Sequence, residues 1–256
     1  MKQFLLIAIS ILVLTSCGEA NTDNPTIVDP TVDLDPDQFL PIEKRAKKFI
    51  QRSLGIPASE NFTYKIYKKE LNGDGKEDAI ITVNRLEFAL KTAEESPNPA
   101  KMAEVGFMGN YNYFFYFDGS SRQISNAHPV PSTPQRELAI DFEHITSENY
   151  FDFIVHLRIR NSSFSDFYTV EGSTAVSFFY WKRFDGLGTT DLEAYHFNYT
   201  EGSMSTRKNI VVTKAKVELP AGTTDFYTVD PMIKGTSDIV HTFFFHNTQK
   251  KYVTLK

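Results

Sequence analysis

The chain has 256 residues, 41% of them hydrophobic and 14% aromatic, which excludes wholesale disorder and favours strands over a helical bundle. A single Cys excludes a disulfide framework and a thiolate metal centre, and a net charge of −5 argues against the basic face of a nucleic-acid binder. The negative excess is local: residues 18–40 hold six acids and no Lys or Arg, whereas residues 41–256 hold 26 charges of each sign.

At the N-terminus, Lys2 precedes an apolar run from Phe4 to Leu14. As a helix this run is about 16 Å long, too short for a hydrocarbon core of about 30 Å. It reads as the apolar part of a secretion signal covering residues 1–16. The run ends in Leu14-Thr15-Ser16-Cys17, which resembles the lipobox of bacterial lipoproteins. That resemblance implies cleavage before Cys17 and acyl chains, such as palmitate, on the new N-terminal cysteine. Gly18 is compatible with outer-membrane delivery, and the acids that follow loosely resemble the export signals of Bacteroidota lipoproteins. Residues 17–40 carry Pro25, Pro30 and Pro36 with few large apolar side chains. They read as a lipidated tether, with docking of Thr26-Ile27-Val28 as an edge strand as the alternative.

Pro41–Leu54 predicts an amphipathic helix. Ile42, Ala46, Phe49, Ile50 and Leu54 share one face, and Lys44, Arg45, Lys47, Lys48 and Arg52 form a basic opposite face. Gly55 and Pro57 end it.

Next comes Glu70-Leu71-Asn72-Gly73-Asp74-Gly75-Lys76-Glu77-Asp78, which resembles the calcium loop of FG-GAP/VCBS-type repeats. Calcium takes six to eight oxygens, and alternate loop positions can supply them. By that resemblance the ligands of a structural Ca²⁺ are Glu70, Asn72, Asp74, the Lys76 carbonyl and Asp78. Two departures stand out: Glu70 replaces an Asp, and Ile81 occupies the place of the bidentate Glu of an EF-hand. A plain Asn-Gly-Asp-Gly hairpin is the metal-free alternative.

Beyond the loop, Ala79–Val83 reads as a strand. Residues 86–105 predict one or two short helices broken at Ser96-Pro97-Asn98-Pro99. His128–Pro134 is a proline-rich loop. Residues 151–159 and 211–219 alternate in period two, as half-buried antiparallel strands do. A weak repeat sets Asp78–Ile81 and Tyr113–Gly119 beside Asp152–Val155 and Phe178–Gly186, which suggests two halves near 58–127 and 135–256. Thr242–Asn247 echoes the aromatic unit. Asp141–Asp152 reads as a degenerate copy of the calcium loop, which would not hold a metal well.

The expected fold is mainly β (α+β): antiparallel sheets in a sandwich or propeller-like stack, an N-terminal helix and a short helical insertion. No G-x-S-x-G, H-E-x-x-H or P-loop motif occurs. The six histidines lack ligand spacing. The expected function is that of an outer-membrane-anchored, non-catalytic lipoprotein that binds a partner protein or a glycan and no nucleic acid. A structural subunit of an envelope assembly is the alternative, and a hydrolase a more distant one.

Overall fold

The computed structural model describes residues 37–202 and 205–254. The predicted leader, Cys17 and the tether through Pro36 lie outside the described residues. Residues 37–40 are described, and they are docked rather than free. Arg122 donates from Nε to the Gln38 carbonyl at 3.1 Å, and from Nη2 to those of Phe39 at 3.1 Å and Leu40 at 2.9 Å.

Helix α1 (Ile42–Ser53) starts one residue after Pro41, whose missing N–H costs nothing at a helix start. Glu43 in the first turn and Arg52 in the last complement the helix dipole. Leu54 caps it, and Gly55 at φ +60° lets the chain leave. Ile42, Ala46 and Ile50 are buried as the spacing requires. The basic face is not wholly solvated, however. Arg45 is only 1% exposed; it donates to the Arg122 carbonyl and lies 5.3 Å from the Phe117 ring centre. Burial of that cation is satisfied by a carbonyl that Arg122 presents from the left-handed region, φ 59°.

Strands β1 (Thr63–Lys69), β2 (Asp78–Asn84), β3 (Asn112–Phe117) and β4 (His128–Pro129) form a four-stranded antiparallel sheet in that order. Helices α2 (Leu86–Glu95) and α3 (Ala100–Gly106) interrupt it between β2 and β3, with the break at Ser96–Pro99. Strand β2 is buried along its whole length because both sheet faces are covered. Ala79, Ile81, Val83, Phe115 and Phe117 pack under α1. Ile80, Phe114 and Tyr116 face the second sheet.

That second sheet is an eight-stranded antiparallel meander: β5 (Ala139–Glu143), β6 (Asp152–Ile159), β7 (Ser162–Glu171), β8 (Thr174–Asp185), β9 (Glu193–Thr200), β10 (Asn209–Glu218), β11 (Met232–His246) and β12 (Lys251–Thr254). Strands β8 and β9 pair at only two positions, Phe184 with Ala194 and Asp185 with Glu193. The meander creases there and folds back on itself. Phe153, Val155 and Leu157 of β6 pack toward the first sheet. Ile154, Phe167 and Phe179 pack against Ile210, Val212, Phe243, Phe245 and Tyr252 of the returning strands. The result is a sandwich-like stack of helix, sheet, β5–β8 layer and β9–β12 layer. Strand β6 therefore departs from the half-buried expectation. As part of a middle layer it is buried on both faces, including its polar residues His156 and Arg158.

The two hairpins β1–β2 and β5–β6 match in register. Lys69 pairs with Asp78 and Glu143 with Asp152, so each closes over eight residues. In each, the aspartate is fully buried and its Oδ2 accepts the N–H seven residues upstream: Leu71 at 2.9 Å and Ile145 at 3.0 Å. The loops also touch, with the Phe151 N–H donating to the Glu70 carbonyl at 3.0 Å. The aromatic segments do not correspond in the same way. The neighbour of β2 is β3, but the neighbour of β6 is β7, and Phe178–Trp181 lies one strand further on.

Candidate functional site

Alternation along the middle layer sends every second side chain into the space between β5–β8 and β9–β12. Cross-strand pairing arranges these in rows. Ile154, Phe167 and Phe179 are one apolar row; His156, Ser165 and Trp181 are the next; Arg158 and Ser163 follow. The inter-layer space thus runs from an aromatic core at one end to polar and cationic groups at the other. Arg183 and Asp141 line that polar end together with His156.

Two cavities open there. One of about 300 Å³ is lined by Arg136, Asp141, His156, Arg158, Arg183 and Asp230, among others. Its neighbour of about 590 Å³ shares Asp141, His156 and Arg183, and adds Glu143, Tyr195, Phe197, Asn198 and Tyr199. A third, of about 580 Å³ along edge strand β1, meets the first at Arg136, Glu137, Ala139 and Asp230. Together they form an open groove that follows strand β5. Its polar wall is Asp141 and Glu143; the facing wall is the inward side of β9, where Tyr195, Phe197 and Tyr199 alternate with exposed His196 and Asn198.

A hydrogen-bonded relay crosses the polar end. Ser165 Oγ lies 2.8 Å from His156 Nδ1, and His156 Nε2 lies 2.8 Å from Asp141 Oδ2. The His156 bond holds the Asp141 carboxyl below the usual carboxylate range, so Asp141 is ionised and accepts. That assigns the proton to Nε2, leaves Nδ1 as acceptor, and makes Ser165 the donor. The connectivity is that of a serine hydrolase triad, but the exposure is reversed. Ser165 is fully buried mid-strand, while the Asp141 side chain is 68% exposed. A nucleophile must reach the reacting carbon, and Ser165 cannot.

Burial lowers the His156 imidazole below its ordinary 6.5, the Asp141 carboxylate opposes that shift, and Arg183 adds to it. A depressed histidine contributes stability that is present above about pH 6.5 and lost as pH falls through the lowered value. Acidification from pH 7 to 5 is therefore expected to lower the melting temperature, and His156→Gln to flatten that dependence. Thermal melts across the range check it; parallel profiles for the two proteins would refute it.

The predicted calcium-loop residues stand together on the β1–β2 hairpin, 70–78. Glu70 Oε1 accepts the N–H groups of Asn72 and Gly73, Asn72 Oδ1 that of Asp74, and Asp74 Oδ1 that of Lys76. Gly73 and Gly75 take φ +83° and +76°, as the tight turn requires. Asp78 is set apart by complete burial. Its two oxygens accept the Leu71 and Gly119 N–H groups at 2.9 and 2.8 Å, and burial raises its carboxyl above the ordinary value. Its counterpart Asp152 likewise accepts the N–H seven residues upstream, in a hairpin where the calcium-loop pattern is degenerate. Asp78 thus fits a hairpin clamp, whereas Glu70 and Asn72 are half-buried and Asp74 and Lys76 exposed.

No family model, curated protein or solved structure matches this chain. The residues themselves carry the functional argument.

Of the groove residues, the sequence brought out His156 and Arg158 as the polar side of an alternating strand, and Asp141 within the degenerate loop. It did not bring out Arg136, Arg183 or the Tyr195–Tyr199 row. Arg183 sits in an aromatic strand whose other polar neighbours give no hint that it faces inward. No candidate membrane span occurs among the described residues: no helix there is long and apolar enough to cross a membrane.

Proposed function

We propose that the chain is an outer-membrane lipoprotein, anchored through Cys17, whose non-catalytic β-rich domain binds a glycan in the groove along β5. The observation that carries the reading is the pairing, across one cavity, of Tyr195, Phe197 and Tyr199 with Asp141 and Glu143. Sugar rings present apolar faces that stack on aromatic side chains and hydroxyls that bond to carboxylates and amides. Burial of Ser165 supports the non-catalytic reading. The Leu14–Cys17 pattern supports the anchor, because two or three acyl chains hold a domain at a bilayer far better than one.

Trp181 is the single tryptophan, and its ring centre lies 6.5 Å from that of groove residue Tyr195. Its fluorescence is therefore a reporter of occupancy. Titration with oligosaccharides is expected to give a saturable change. A response to peptides alone would move the reading to a partner protein, and silence toward both would favour a scaffold in an envelope assembly. Ester or glycoside hydrolysis abolished by Ser165→Ala or Asp141→Asn would overturn the non-catalytic assignment. For the anchor, mass spectrometry is expected to find diacylglycerol on Cys17, and Cys17→Ser to release the protein from membranes.

A structural calcium ion on the loop is part of the same proposal, with Glu70, Asn72, Asp74, the Lys76 carbonyl and Asp78 as its ligands. Calcium on the order of 1 mM is expected to raise the melting temperature, and Asp74→Asn to abolish the rise. An unresponsive wild type would leave a hairpin held by its own hydrogen bonds.

A further inference from the structure

We propose that Arg183, with Arg158 beside it, forms an oxyanion subsite in the groove, so that the preferred ligand is an acidic saccharide whose carboxylate docks there. This rests on the glycan-groove reading above and specifies its ligand class.

Three arginines and three acids line the 300 Å³ cavity. The acids are engaged. Glu137 pairs with Lys65 at 2.7 Å and accepts the Thr63 hydroxyl; Asp230 pairs with Arg136; Asp141 binds His156. Arg158 and Arg183 are left over. Arg158 is 5% exposed, and it donates only to carbonyls: Nε to Arg160 at 3.1 Å and Nη2 to Phe226 at 2.7 Å. Its cation sits 4.6 Å from the Phe184 ring centre. Arg183 is half-buried, makes no ion pair or hydrogen bond among the described residues, and lines both inner cavities.

Buried cations are normally paired, because desolvation otherwise goes uncompensated. Here burial, then the nearby charges of Arg136 and Arg183, press Arg158 down to about 10, with the exposed Asp225 opposing. Burial lowers Arg183 too, with Asp141 opposing. A bound anion would offset both strains. The planar fork of a guanidinium matches a carboxylate with two parallel hydrogen bonds. Since the aromatic wall of the 590 Å³ cavity adjoins Arg183, the anion and a sugar ring can be held by one ligand.

The test uses the full mature chain and Trp181 fluorescence, with oligogalacturonate and a neutral galactose oligomer of equal length as probes, and inorganic sulfate as a free anion. The acidic oligomer is expected to bind about tenfold tighter than the neutral one, the worth of one charge-assisted hydrogen-bond pair. Arg183→Gln is expected to abolish that preference, and Arg183→Lys, which keeps charge but loses the fork, to retain only part of it. Sulfate is expected to raise the wild-type melting temperature and to compete with the acidic oligomer alone. Equal binding of the two oligomers would overturn the subsite and leave the groove reading intact. Failure of both oligomers to bind would overturn the groove reading. A sulfate-induced rise lost in Arg183→Gln would then show an anion site serving another ligand, and no sulfate effect would overturn the subsite as well. Should Arg183→Gln fail to fold, Arg183→Lys carries the comparison.

Discussion

Asp152→Ala is expected to destabilise the domain by about 3–4 kcal/mol, the largest single-residue loss among the polar groups. Asp152 is fully buried and accepts three hydrogen bonds: the Ile145 N–H at 3.0 Å, the Thr146 N–H at 2.6 Å and the Thr146 hydroxyl at 2.7 Å. Alanine would leave two backbone donors buried without partners and a small void besides. Asp152→Asn is expected to cost much less, since its one carbonyl oxygen can take both N–H groups and its amide can donate to Thr146. Burial raises the Asp152 carboxyl above its ordinary value. An acid raised in this way contributes stability that is present below its ordinary value and lost as pH rises through the raised one. The asparagine variant should lose that component and show a flatter profile on the acid side. Urea unfolding at several pH values measures both effects. Equal losses for alanine and asparagine would contradict the hydrogen-bond account.

Gly119→Ala is expected to cost about 2–3 kcal/mol. A Cβ at this position would stand 2.2 Å from the Glu77 carbonyl oxygen and 2.8 Å from its carbon. The obstruction is backbone, which cannot swing aside as a side-chain end could. The same residue supplies the N–H that reaches Asp78 Oδ1 at 2.8 Å, so moving it also weakens the clamp of the β1–β2 hairpin. The midpoint in urea should fall without a change in slope, the mark of lost stability rather than an altered denatured state. A variant as stable as the wild type would mean that the turn after β3 yields easily.

Local features were legible in the residues. Proline and glycine marked the ends of α1 and the break between α2 and α3, because their constraints act within a turn. The Asp78 and Asp152 correspondence was visible because both aspartates open apolar strands. Features that depend on a second layer were not legible. Period two in β6 distinguishes one face from the other, but a polar face reads as solvent-exposed unless the covering strands are known. The covering strands, β9 to β12, come only after two further strands of the same layer, so nothing local to β6 marks His156 and Arg158 as buried. Arg45 failed for a similar reason: its partner is a carbonyl of Arg122, contributed by a distant turn. The groove joins Asp141 on β5, Arg183 on β8 and Tyr195 on β9, and no spacing rule connects those three positions.

Each strand of the meander after β5 is hydrogen-bonded to the one synthesised just before it. A nascent chain emerging N-terminus first can therefore zip up its ribbon in order of arrival, with little loop-closure entropy at each addition. Until the last ribbon arrives, however, the middle layer bares Phe167, Phe179, Arg158 and Arg183 to whatever surrounds it. The vulnerable interval in biogenesis is thus late, and truncations near the C-terminus should aggregate more readily than their small size suggests.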